Sequence, residues 1–339
     1  MRKIALAVSA LFAVLTTYGA SAEDKFKLRA SVDTSMTHGR TIALTDYLKK
    51  LHDRSGGRIE TELFHSGQLF RDRDVVKALR QGAVEMAMPG TWVLTGFVPD
   101  ADVFQLPCFF GQSLPVVYSA VDGKIGDLIN TSFEKSLQIK VLGSWLPLGY
   151  QNTYTTSKPV RSFDDLAGMK IRNSGGAGQA IRARFFNAQP NMTAWPDVPL
   201  ALSQGTFDGL SSTDESLASA KLWESGAKYG FEDHEFIGFY VPMISNAFYS
   251  KLPPDLQTLV IDLWKENIAT YRRQMEDAQL EARHTLEQNG MKFFAPAEGK
   301  LAEIRQKMML TQDAVAAELR ISPAMQALVK TEFKAEALR

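Results

Sequence analysis

Apolar and polar positions alternate with two different periods along the chain, and each change of period marks an element. "RIETELF" (Arg58 to Phe64) alternates residue by residue, as a half-buried strand does. It follows the Gly56-Gly57 stop of a helix predicted over roughly Gly39 to Arg54. "DVVKALRQG" has helical spacing and a glycine cap at Gly82, and "AVEMAM" predicts the next strand. Such alternation implies an α/β fold with largely parallel sheets. From Pro254 to Asn289 apolar residues recur at steps of three or four, from Leu256 through Trp264 and Tyr271 to Leu286. Neither glycine nor proline follows Pro254 until Gly290. Unbroken, this segment makes a helix of about 50 Å, long enough to brace two domains; two helices with an unmarked break are the alternative.

A repeat adds to this picture. Asp74-Val75-Val76-Lys77-Ala78-Leu79-Arg80-Gln81-Gly82 matches Asp197-Val198-Pro199-Leu200-Ala201-Leu202-Ser203-Gln204-Gly205 at six of nine positions, and an acid stands at the same place in the strand-like segment after each (Glu85, Asp208). Either the match is a chance of shared helix-to-strand chemistry, or the chain builds two similar α/β lobes. Two such lobes enclose a cleft, and ligands of open α/β sheets bind beyond the carboxyl ends of strands.

The N-terminus narrows the setting. Arg2 and Lys3 precede an apolar stretch from Ile4 to about Tyr18, and Ala20-Ser21-Ala22 forms a small-x-small cleavage pattern before Glu23. This predicts a secretory signal peptide over 1–22 and an exported chain from about Glu23, where no cysteine directly follows the cleavage point to carry a lipid anchor. No later stretch reaches the roughly 20 apolar residues of a membrane span. Lys+Arg and Asp+Glu are balanced at 38 each, which argues against nucleic acid as a partner. Cys108 is the only cysteine, so no internal disulfide can form, and its apolar setting "FQLPCFF" predicts a buried, inert thiol.

Catalytic and metal signatures are missing. His38, His52, His65, His234 and His284 show no H-x-x-x-H or H-E-x-x-H spacing, there is no cysteine pair, and no G-x-S-x-G elbow occurs. Glu85 and Asp208 read as structural acids at the start of matching strands. Neither a metal nor a cofactor is expected. "KIRNSGGAGQA" is no P-loop, and it fails the dinucleotide register because Ile181 stands where the third glycine belongs. What remains is Arg172 at a strand end, with Asn173, Ser174 and glycines leading into a helix. The free N–H groups of such a helix favour an anion, and the arginine adds a planar fork suited to a carboxylate. A surface arginine with a protein carboxylate beside it is the plainer alternative.

The stretches "SGGRIETELFHSGQL", "VVKALRQGAVEMAM", "FVPDADVFQLPCFF", "SKPVRSFDDLAGMKIR", "DVPLALSQGTFDG" and "LPPDLQTLVIDLWKENIATYRRQ" span nearly all of the exported chain. In content and order it resembles the solute-binding proteins of TRAP (tripartite ATP-independent periplasmic) transporters, the DctP-like family. The resemblance implies a two-lobed periplasmic binding protein fold of α/β class, with a ligand cleft between lobes and a long helix spanning both. Lobe I would comprise 23–148 plus about 237–275, and lobe II 149–236 plus about 276–339. It further implies a periplasmic receptor, not an enzyme, that captures a small organic acid through an arginine in the position of Arg172. The receptor would deliver this acid to the small and large membrane subunits of a sodium-driven TRAP permease. An exported enzyme acting on small acids or sugars remains the alternative.

Departures from the family pattern bear on the ligand. Asn152 lies near the place where sialic-acid-binding members carry a second arginine, and Gly90 and Val93 stand where those members have charged contacts. Phe70 replaces a common glycine, and Leu210, Ser211, Ser212 and Thr213 replace an acid and its followers. These changes argue against sialic acid and leave the acid open. His38, Thr91, Trp92, Ser174, Ser211, Ser212, Thr213, Gln151 and Asn152 are the further expected contacts, with Trp195, Trp145 and Tyr150 as expected aromatic walls.

Overall fold

The computed structural model describes residues 25–332, and the expected signal peptide lies outside them. The chain forms two sheets. One contains β1 (Phe26–Ser31), β2 (Ile59–Phe64), β3 (Met86–Ala87), β4 (Ile139–Val141) and β10 (Met243–Ser245), in the order β2-β1-β3-β10-β4. The other contains β5 (Leu146–Thr155), β6 (Lys170–Asn173), β7 (Gln189–Met192), β8 (Gly209–Ser212), β9 (Tyr229–Tyr240) and β11 (Lys292–Phe294), in the order β11-β9-β5-β8-β6-β7.

The repeat is real in three dimensions. Each half has a parallel trio, β2-β1-β3 or β7-β6-β8, with an antiparallel strand added beside the third, β10 or β5. The matched runs form the helices Asp72–Arg80 and Val198–Ser203, each closed by a glycine at positive φ, Gly82 (66°) and Gly205 (68°). Glu85 accepts the Arg29 backbone N–H at 2.8 Å, and Asp208 accepts that of Lys170 at 2.8 Å. The two acids thus hold equivalent strands in register, as structural residues. The expectation of largely parallel sheets needs correction: the chain crosses between halves along β5 and β9, which run antiparallel, so both sheets are mixed.

Pro254–Gln288 is a single helix of 35 residues. Against the first half it receives a hydrogen bond from Tyr47 and buries Trp264; against the second it holds the Glu215 backbone through Gln279 and buries Leu286 beside Tyr154 and Leu210. Each large apolar side chain buried this way contributes about 1.5–3 kcal/mol. No helix among the described residues is long and apolar enough to cross a membrane. Cys108 is buried, and burial pushes its thiol up to about 12, so it is unreactive.

Candidate functional site

The strand ends of the two halves face one another. Because Lys170 occupies the place of Arg29 in the repeat, Arg172 corresponds to Ser31 and Ser174 to Asp33. A narrow cavity, with about 40 Å³ open to the centres of water-sized spheres, lies beyond the carboxyl ends of β1, β3, β6 and β8. From the first half it is lined by Asp33, Thr34, His38, Asp72, Arg73 and Trp92, and from the second by Arg172, Ser174, Trp195, Ser212 and Ser216, with Tyr240 at the junction.

Arg172 is 1% exposed. Its Nε and one terminal nitrogen donate to the Thr193 carbonyl at 3.0 and 2.8 Å, and the other terminal nitrogen donates to Ser174 Oγ at 3.2 Å. Three of the five N–H groups of the guanidinium are thereby used, leaving one on each terminal nitrogen. The Trp195 ring lies 5.4 Å from the guanidinium carbon. Arg172 forms no ion pair among the described residues, and burial lowers its pKa to about 10. A buried cation without a protein counter-ion is costly, which makes Arg172 the candidate anion contact of this cavity.

The glycine-rich stretch serves a different purpose from the expected one. The helix Ala177–Phe185 points its N-terminus at Asp102, whose carboxylate accepts the Gly178 N–H at 3.3 Å. The anion favoured by that helix end is therefore the protein's own, and it does not face the cavity. Gly175 and Gly176 take φ of 124° and 79°, and a Cβ at Gly178 would sit 2.3 Å from the Gln105 side chain. The glycines supply a left-handed turn and a close approach between halves.

Beneath the cavity Arg40, also 1% exposed, holds Asp33 and bonds both oxygens of Asp72 at 3.0 and 3.2 Å. It also donates to the Met88 carbonyl at 2.9 Å and lies 4.1 Å over the Tyr240 ring. Burial lowers its proton affinity, but Asp72, Tyr240 and Asp33 outweigh burial, so it stays charged. His38 Nδ1 accepts the Arg40 backbone N–H at 3.0 Å, which places the imidazole proton on Nε2, 3.2 Å from Ser216 Oγ and 3.1 Å from Glu215. Burial keeps His38 neutral. Ser216 receives a further bond from Thr213, so its own proton is left to donate into the cavity.

Comparison with known proteins matches residues 31–318 to the profile of the bacterial extracellular solute-binding protein family 7, DctP. The chain belongs to that family. It is similar to the 2,3-diketo-L-gulonate-binding periplasmic protein YiaO of Escherichia coli K12, 26% identical over 273 residues, or 80% of this chain and 82% of that one. It is likewise 26% identical to the C4-dicarboxylate-binding protein DctB of Bacillus subtilis over 243 residues, 71% of this chain and 68% of that one. In structure it resembles a TRAP periplasmic solute-binding protein from Sulfitobacter sp. NAS-14.1 with bound β-D-galacturonate, at TM-score 0.82 and 21% identity, covering 91% of this chain and 100% of that one. A TRAP protein from Sulfurospirillum deleyianum with bound succinate gives TM-score 0.82 and 21% identity, with coverages of 92% and 99%. The fold is therefore the two-lobed α/β fold of TRAP solute-binding proteins.

Within this family 7 chain the expected residues divide. Arg172, His38, Trp92, Ser174, Ser212 and Trp195 line the cavity; Gln151, Asn152, Thr91, Ser211 and Thr213 do not. Asn152 accepts the His234 backbone N–H at 3.1 Å and stitches the bulge between β5 and β9, while Gln151 is buried in the same strand. Thr91 is buried in the first turn of the short helix Thr91–Leu94. Ser211 opens on a second cavity beside Glu235 and Gln179, and Thr213 caps the helix Asp214–Ser219. Trp145 is core, bonded to Asn130, and Tyr150 stacks on His234 at 4.5 Å, so neither forms a wall. Asp33, Asp72, Arg73, Ser216 and Tyr240 were missed; the repeat held the signal for Asp33, the counterpart of Ser174. Among the described residues no cluster of three or more His, Cys, Asp or Glu side chains could hold a metal ion.

Two predictions follow from packing and burial at this site. A Cβ at Gly90 would lie 2.1 Å from the Trp92 indole, whose ring folds back over its own backbone to meet Tyr240. Gly90→Ala should therefore push Trp92 into the cavity and weaken ligand binding at least tenfold, with titration calorimetry as the check. Burial raises Glu215 to about 7 and Asp102 to about 6, against opposing backbone N–H bonds and arginines. Both folded values exceed the unfolded ones, near 4, so the folded protein binds more protons in between. Their contribution is complete below about pH 4 and is lost as pH rises through 6 to 7. Relative to a Glu215→Gln, Asp102→Asn variant, which lacks both carboxyls but keeps the opposing buried neutral His38 and His234, the wild type should accordingly gain on the order of 2 kcal/mol in urea stability from pH 8 to pH 5. A flat or falling trend over that range would contradict the assignment.

Proposed function

We propose that this protein is a receptor that binds a hydroxylated monocarboxylate of hexuronate size and releases it unchanged to the membrane subunits of a TRAP permease. The observation that carries the reading is Arg172: buried, without an ion pair among the described residues, and left with two N–H groups at a cavity. A carboxylate satisfies both in bidentate fashion. Asp33, Thr34, Ser212 and Ser216 offer partners for hydroxyls, and Trp195, Trp92 and Tyr240 offer faces for a sugar ring. Similar proteins with galacturonate, and a relative named for a keto-sugar acid, support the class. Simple dicarboxylates fit less well, since a second carboxylate would meet Asp33 and Asp72.

Under this reading the signal peptide 1–22 delivers the chain to the periplasm. Lobe I comprises 23–148 plus about 237–275, lobe II the remainder, and the ligand contacts both. Closure then follows from the differential affinity of the ligand for the closed form. The test is a thermal-shift and calorimetric series with D-glucuronate, D-galacturonate, succinate and orotate, followed by recovery of the ligand. A stabilising shift with the uronates and intact recovery are expected. No shift with any acid would sink the carboxylate reading, and turnover to product would sink the receptor reading.

A further inference from the structure

Arg71 and Arg73 leave the same end of the first-half helix Asp72–Arg80 and both border the cavity, yet their charges are disposed of differently. Arg71 forms a bidentate ion pair with Asp197 of the second half, at 2.6 and 3.1 Å across the cavity mouth. Arg73 is exposed and makes no hydrogen bond or ion pair among the described residues. Across the cavity stands Arg172, which forms no ion pair among the described residues.

A charge count over the lining shows what this implies. Arg71 and Asp197 cancel, as an exposed pair that contributes little to closure. Asp33 and Asp72 are shared by Arg40 and together leave one negative charge. Asp33 attracts Arg172 and Arg73 repels it, the expected signs for groups around one cavity. Arg172 and Arg73 add two positive charges, so the lining carries a net charge of one positive unit, which one monoanion neutralises. Arg172 alone could hold a carboxylate with the halves apart. Only a contact from the first half makes closure depend on the ligand's charge.

Resting on the carboxylate reading above, we infer that Arg73 is a specificity-determining residue: the ligand carboxylate, held by Arg172, is shared with Arg73 from the opposite half, and this contact couples the ligand's negative charge to closure. A neutral sugar of the same shape forgoes both the attraction and the closure.

The test uses the full mature protein with D-glucuronate as probe, in the wild type and in Arg73→Gln, Arg73→Lys and Arg172→Gln. Because Arg73 is exposed and without contacts, ligand-free melting temperatures of its variants should equal that of the wild type. Arg73→Gln should raise the dissociation constant about tenfold or more, since charged hydrogen bonds are the stronger class. It should flatten the dependence of affinity on salt, and reduce the compaction seen by small-angle scattering at saturating glucuronate. Arg73→Lys, which keeps the charge, should restore most of the affinity. Wild-type binding that is lost in Arg172→Gln but unaltered, in affinity and salt slope, in Arg73→Gln overturns this inference and leaves the carboxylate reading standing. A wild type that binds none of glucuronate, galacturonate, succinate and orotate overturns both.

Discussion

Arg172→Met should abolish measurable capture of the acid while leaving the ligand-free protein as stable as the wild type, or more so. The two effects have opposite signs for one reason. The guanidinium is buried, lacks a carboxylate of its own, and is held by Thr193 and Ser174 in a geometry that leaves two N–H groups unused. Without ligand the charge is a liability, as its pKa, lowered by burial to about 10, records. Methionine fills much of the volume with no charge to desolvate. With the proposed ligand, the same charge would meet a carboxylate in a site shielded from water, where truncating one partner of a buried charge pair costs about 2–5 kcal/mol. Arg172→Lys keeps a positive charge but cannot reproduce the fork or its two hydrogen bonds to the Thr193 carbonyl, so it should retain intermediate affinity. Calorimetry with a uronate and melting curves without ligand separate the effects. Unchanged affinity in both variants would remove Arg172 from the site.

The sequence carried the architecture further than it carried the site. The helices over 39–54 and 72–80, the strand over 59–64 and the long helix from Pro254 were all legible, because each has an apolar period and a glycine or proline at its boundary. The repeat went further still, since a helix, a glycine turn and a strand-starting acid recur with their hydrogen bonds intact. The site was legible only where chemistry and position coincide in one residue, as at Arg172. Asn152 and Thr213 looked like ligand donors, but their side chains bind nearby backbone, one at a bulge and one at a helix cap. Such local competition is typical of short polar side chains and leaves no mark in spacing. Arg40 and Asp72 were invisible for the opposite reason: their contact spans 32 positions and depends on how a helix seats on the sheet.

Arg40 is also where the largest loss of stability is expected. Arg40→Met would leave Asp33 and Asp72 in a site where they are 7% exposed each, without the cation that both accept from, and would strip the donor from the Met88 carbonyl. Breaking a buried ion pair on one side costs about 3–5 kcal/mol, because the remaining charge stays desolvated. The loss should appear as a lower urea midpoint with an unchanged slope. Two controls distinguish an orphaned charge from a packing defect. Arg40→Met combined with Asp33→Asn and Asp72→Asn should recover part of the deficit, since replacing a whole buried network is often close to neutral. Burial already raises Asp72 to about 7 against the opposing Arg40, and without that cation it should rise further, so the deficit of the single variant should shrink as pH falls from 8 to 5 and Asp72 takes up a proton. A deficit that persists in the triple variant and ignores pH would mean that Arg40 acts through its packing on Tyr240 instead. Because Asp33 and Asp72 line the cavity directly above Arg40, the single variant should lose ligand affinity as well, through a more negative lining that repels the acid Arg172 holds.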